Sequence, residues 1–94
     1  MARNRFEQVD EPQADAITLS LSKKHGDAKG KILCPAAVSG GRLPSDMTSE
    51  ERGSLEAFRA AIHLANELKA PIVVMDPDQV WQAEWGDLYR HDDV

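Results

Sequence analysis

Apolar positions change their spacing four times along the chain, and each spacing predicts an element. Residues 16–22 alternate, with Ile17, Leu19 and Leu21 on one side and Thr18, Ser20 and Ser22 on the other. That is the pattern of a half-buried strand whose hydroxyl side chains face solvent. Residues 31–34 predict a second short strand, stopped by Pro35, which has no N–H for a ladder. Between them, Lys23-Lys24-His25-Gly26-Asp27 reads as a polar turn with Gly26 available for positive φ, so the two strands form an antiparallel hairpin. From residue 48 the period becomes 3.6. Leu55, Phe58, Ile62, Ala65 and Leu68 make one stripe, widened by Ala61 and Leu64, while Arg52, Glu56, Arg59, His63, Asn66 and Glu67 cover the other side. Thr48-Ser-Glu-Glu51 has the form of a capping box, and Pro71 ends the helix. Ile72-Val73-Val74-Met75 then runs apolar without alternation, as a strand covered on both faces does. Strand, helix and strand in this order ask for a right-handed parallel crossover joining residues 31–34 to 72–75.

Asp76-Pro77-Asp78-Gln79 turns that strand into a second helix. Asp76 suits the N-cap, Pro77 N1 and Gln79 N3, with Trp81, Trp85 and Leu88 following at i, i+4 and i+7. Gly86 is an alternative early stop, leaving Leu88 and Tyr89 as a packed extension. Residues 1–14 hold only isolated Phe6 and Val9 and read as a disordered N-terminal tail, or as an arm that orders on a partner through Phe6. Residues 35–46, with Gly40-Gly41 and two prolines, are a loop. Residues 91–94 fray. The expectation is a small single α/β domain (α+β) over residues 15–90. Its order is ββαβα, with a mixed three-stranded sheet packed on a long helix and a short second helix at the C-terminal end. The core is drawn from Ile17, Leu19, Leu21, Ile32, Leu55, Phe58, Ile62, Ala65, Leu68, Val73, Val74 and Trp81.

Length sharpens this picture. A chain of 94 residues buries roughly 60–65% of the surface its unfolded form exposes, so help from a partner chain is in play. Three strands leave an edge on each side that a homodimer could close. A net charge of −5 opposes general nucleic-acid affinity, which depends on Lys and Arg displacing counterions. The basic residues cluster at Lys23, Lys24, Lys29 and Lys31, where they deter edge-to-edge pairing of the hairpin. Cys34 is the only cysteine, so an intramolecular disulfide and a cysteine-based zinc site are excluded, and a reducing, cytoplasmic setting is expected. No apolar run reaches the length of a membrane span, and no membrane association is expected.

Candidate chemistry is sparse. Asp76 and Asp78, two apart just beyond an apolar strand, could hold Mg²⁺, with Arg42 after Gly40-Gly41 as a phosphate clamp. Over residues 64–78 this strand end resembles those of metal-dependent phosphoryl-transfer domains, the Toprim group among them. Such domains also need an acidic residue near an earlier strand end, and only Asp46, in the loop, is available for that role. Capping explains both aspartates without a metal. Cys34 lacks a nearby base, because His25 falls at the far end of the hairpin and His63 on the outer helix face, so it reads as a small buried residue. Trp81 and Trp85 are either the lid of the core or interface anchors. No catalytic set, metal site or cofactor motif emerges. The leading expectation is a non-enzymatic binding or accessory protein that self-associates or binds a protein partner; the alternative is metal-assisted phosphoryl transfer, or phosphate-ligand binding, at the strand ends.

Overall fold

The computed structural model describes residues 5–41 and 43–90, apart from the side chain of Arg90. It is an α/β structure with one mixed sheet and one long helix. In chain order the strands are β1 (Arg5–Gln8), β2 (Ile17–Lys24), β3 (Asp27–Cys34), β4 (Met47–Thr48), β5 (Arg52–Gly53), β6 (Ile72–Met75) and β7 (Asp87–Arg90); helix α1 spans Ser54–Leu68. The sheet order is β4-β3-β2-β6-β1-β7, with β5 also on β3. β2 and β3 are antiparallel, whereas β2, β6, β1 and β7 are mutually parallel.

The hairpin forms as its alternation requires, and it is longer than expected. His25 and Gly26 both take positive φ, 52° and 85°, which is the two-residue turn whose twist matches the flanking strands. Pairing therefore continues from Thr18 opposite Leu33 to Lys24 opposite Asp27. Ile17, Leu19 and Leu21 face α1 and are buried, together with Ile32 and Cys34 of β3.

Four expectations are corrected. Among the described residues the sheet has seven strands rather than three: β4, β5 and β7 are added, and Arg5–Gln8, expected in the tail, is β1 and lies between β6 and β7. Phe6 is 8% exposed, so burying its ring against α1 holds a strand too short to show periodicity. The apolar strand β6 pairs with β2 and β1 instead of β3, and it runs antiparallel to β3. The crossover through α1 starts from β5, which pairs antiparallel with β3 and so shares the direction of β6. The helix begins at Ser54, six residues after the capping-box threonine; Thr48 pairs in β4 with Leu33, and Ser49 caps the amide of Ile32. Among the described residues no second α-helix follows β6: a 3₁₀ turn stands at Ala83–Trp85, after which Leu88 and Tyr89 enter β7. The expected fraying of residues 91–94 lies outside the described residues.

The face of α1 turned to the sheet is also shifted. Its buried residues are Ala57, Ala61 and Ala65, while Phe58, Ile62 and Leu68 pack along the flanks and Leu55 is 44% exposed. Small side chains let the helix axis lie close to the sheet. At the point of closest approach the facing strand residue is Gly30, where an added Cβ would lie 2.8 Å from Ala57 Cβ and 3.0 Å from Leu21 Cδ2. Among the described residues no α-helix packs on the opposite face of the sheet. Residues 9–16 cross its centre, where the Gln13 amide donates to Thr18 Oγ1 at 3.2 Å, so Thr18, expected to face solvent, is fully buried.

Gly30→Val should destabilise the fold by about 2 kcal/mol through overpacking against Ala57 and Leu21. Ser20→Ala, at a half-buried site on the face opposite α1, should cost about 0.5 kcal/mol or less; urea unfolding of both variants checks the contrast.

Candidate functional site

The carboxyl ends of the parallel strands are where a sheet of this kind offers ligand-binding space, and the predicted site residues Asp76, Asp78 and Trp81 all fall there. Asp76 immediately follows β6 and is 4% exposed. Its Oδ1 accepts the Val80 amide at 2.8 Å and its Oδ2 the Trp81 amide at 3.0 Å, while its carbonyl accepts the Gln79 amide at 3.4 Å. One carboxylate thus closes a loop of six residues. This is a different use of the side chain from a helix N-cap, because the amides it satisfies lie four and five residues on. Gln79 sits in the left-handed region, φ 57°, where a helix cannot propagate; that is the physical reason the expected second helix does not form.

Asp78 turns the other way. Its Oδ2 accepts the Lys23 amide of β2 at 2.9 Å, pinning the loop to the hairpin end. The two carboxylates are therefore each committed to backbone amides on separate segments. Among the described residues no group of three or more His, Cys, Asp or Glu side chains is placed to hold a metal ion. Asp46, the third acidic candidate, accepts the Ala36 amide at 2.9 Å and anchors the loop after β3. Arg42 lies outside the described residues.

The loop beyond Asp76 folds back over α1 and joins an aromatic cluster. Trp81 and Trp85 meet edge to face at 5.2 Å, as their spacing in sequence foreshadows even without a helix. Phe58 stacks on Trp85 at 4.7 Å and meets Trp81 edge-on at 5.5 Å. Phe6 completes the group against Phe58 and Trp81 at 5.9 and 5.3 Å. Trp81 Nε1 donates to the Gly86 carbonyl at 3.0 Å. Phe6, Trp81 and Trp85, the candidate partner-binding residues, thus come together inside one chain, each pair adding about 0.5–1.5 kcal/mol beyond area burial. Phe6 was invisible to sequence periodicity as a member of this cluster; only its aromaticity beside an otherwise polar stretch singled it out.

Cys34 is buried, and its thiol is pushed above the ordinary range first by burial and then by the negative charge of Asp46. Its Sγ donates to the Pro35 carbonyl at 3.8 Å. In the lysine cluster, Lys24 Nζ bonds Glu51 at 2.6 Å, and that hydrogen bond, followed by the charges of Lys24, Lys31 and Lys29, lowers the Glu51 carboxyl. His63 lies 3.3 Å from Glu67 on the exposed face of α1. No described helix is long and apolar enough to cross a membrane.

A cavity of about 450 Å³ opens beside Asp76, lined by Gln8, Asp76, Pro77, Gln79, Trp81 and Leu88. Gln8 Nε2 donates to the Asp76 carbonyl at 3.3 Å.

Comparison of the chain with protein-family models, curated proteins and solved structures finds no match in any of the three.

Asp76→Ala leaves the Val80 and Trp81 amides without their acceptor and should cost roughly 2–4 kcal/mol, read as a lowered urea midpoint with red-shifted tryptophan emission. Because the raised Cys34 thiol gives little thiolate near neutrality, native protein should react with a thiol reagent at pH 8 at least about tenfold more slowly than the chain in urea. Equal rates would contradict the burial.

Proposed function

We propose that the protein is a small non-enzymatic binding module whose working form is a homodimer joined through strand β7. The observation that carries this reading is the difference between the two edges of the sheet. On the β3 side the chain closes its own edge. β4 pairs with Leu33 and Cys34, β5 pairs with Lys29 and Gly30, and between them Ser49 takes both backbone groups of Ile32: Oγ accepts the amide and the Ser49 amide donates to the carbonyl, each at 2.8 Å. On the opposite side β7 pairs with β1 alone among the described strands. An open edge is a template for another strand.

A twofold axis perpendicular to the sheet makes β7 pair antiparallel with its copy and keeps like faces together. Centred on Leu88, it sets the two Leu88 side chains together on the helix-bearing face. Asp87 then stands opposite the copy's Tyr89 on the uncovered face. Four residues suit one closed pairing better than a growing fibre. Half-buried Tyr89, with Arg5 4.6 Å above its ring, gives the contact an aromatic body and a polar rim.

Light scattering coupled to gel filtration tests the proposal. The wild-type protein should run as a dimer at tens of micromolar. Tyr89→Glu replaces the aromatic body of the contact with a carboxylate, one from each chain, facing the copy's Asp87, and leaves Arg5 beside the new charge within each chain, so it should weaken association at least about tenfold without unfolding the monomer. A wild-type protein that stays monomeric at millimolar concentration overturns the reading.

A further inference from the structure

The order of the parallel strands contains a point where their connections diverge. β1 and β6 are neighbours. From the end of β1 the chain crosses the helix-free face to β2, on the far side of β6; from the end of β6 it crosses the helix-bearing face to β7, on the far side of β1. The two loops therefore leave in opposite directions and to opposite faces, and a crevice must open between them. The 450 Å³ cavity sits there, with Gln8 as the last residue of β1 and Asp76 the first after β6.

Its lining selects among ligands. The walls supplied by Trp81, Pro77 and Leu88 are apolar and include an indole, which suits a flat ring. No cationic side chain lines it among the described residues, and its one carboxylate, Asp76, is already taken by two amides. An anionic ligand therefore finds no counter-charge, and the chain's net charge of −5 opposes one further. What remains are two carboxamides. Gln8 spends Nε2 on the Asp76 carbonyl and keeps Oε1 as an acceptor. Gln79 is exposed, with no side-chain partner among the described residues. A glutamine carboxamide offers an adjacent donor and acceptor, the complement of the amide-like edge of a nucleobase. Gln79 holds this position in a left-handed backbone conformation that glycine would adopt without strain.

We propose that this cavity binds an uncharged nucleobase or nucleoside, stacked against Trp81 and hydrogen-bonded by Gln8 and Gln79. The site lies within one chain and does not depend on pairing through β7.

Titrating the protein with adenosine, guanosine, cytidine and uridine while following tryptophan emission tests it. At least one nucleoside should quench emission saturably below millimolar concentration. ¹H–¹⁵N spectra should then show shifts confined to the side-chain amides of Gln8 and Gln79 and the backbone near 76–82. The matching 5′-monophosphate should bind more weakly. Gln79→Gly relieves the backbone strain and keeps the loop folded, yet should weaken binding about fivefold to tenfold by removing one carboxamide. Gln8→Leu should do the same. No saturable change with any of the four nucleosides, or unchanged affinity in a Gln79→Gly protein whose spectrum remains dispersed, overturns the proposal. So does tighter binding of the monophosphate.

Discussion

The close seating of α1 on the sheet is the constraint on which the rest of the structure depends. A helix normally meets a sheet through long aliphatic side chains. Here Ala57, Ala61 and Ala65 form the contact line, and Gly30 removes the last obstacle on the strand side. Lowering the helix in this way leaves its larger residues at the flanks. Phe58 reaches past the edge of the contact and becomes a pillar for the loop after β6, stacking on Trp85. The aromatic cluster and the path of residues 76–86 over α1 build on that displacement.

Much of this was legible in local pattern. The alternation of residues 16–22, the positive-φ turn at Gly26 and the unbroken apolar run of residues 72–75 each mark their strand, because each is a periodicity satisfied by immediate neighbours. The helix was legible as a helix, but its inward face was not. Leu and Phe outrank Ala on any hydrophobicity count, and only the glycine on the facing strand shows that the alanines go inward. The tryptophan spacing of four is equally instructive. It predicts that Trp81 and Trp85 meet, and they do, yet in a loop ending in a 3₁₀ turn.

What local pattern could not supply was the partnership of the chain's ends. Arg-Phe-Glu-Gln and Asp-Leu-Tyr-Arg are each four residues long, and in each one aliphatic or aromatic side chain, Phe6 or Leu88, packs with the core. Their pairing in parallel, Phe6 opposite Leu88, is a contact across more than eighty positions. The Asp-Pro-Asp corner shows the same limit at a finer scale. Its composition fits a cap, and both aspartates do accept amide hydrogen bonds. Which amides they accept, Val80 and Trp81 for one and Lys23 for the other, is decided by tertiary geometry.

The place of β1 has a consequence for how the chain acquires its structure. β1 is the first described strand, yet both of its neighbours, β6 and β7, come from the last quarter of the sequence. The hairpin of β2 and β3 can form as soon as it is made, since its contacts are local. The centre of the sheet cannot close until residues 72–90 have been synthesised. Loop-closure entropy on that scale slows folding relative to a helical domain of equal size. During the interval β2 presents its inner edge, with Ile17 and Leu19 uncovered, to whatever else is in solution. Vulnerability to aggregation therefore belongs to the nascent chain more than to the finished protein.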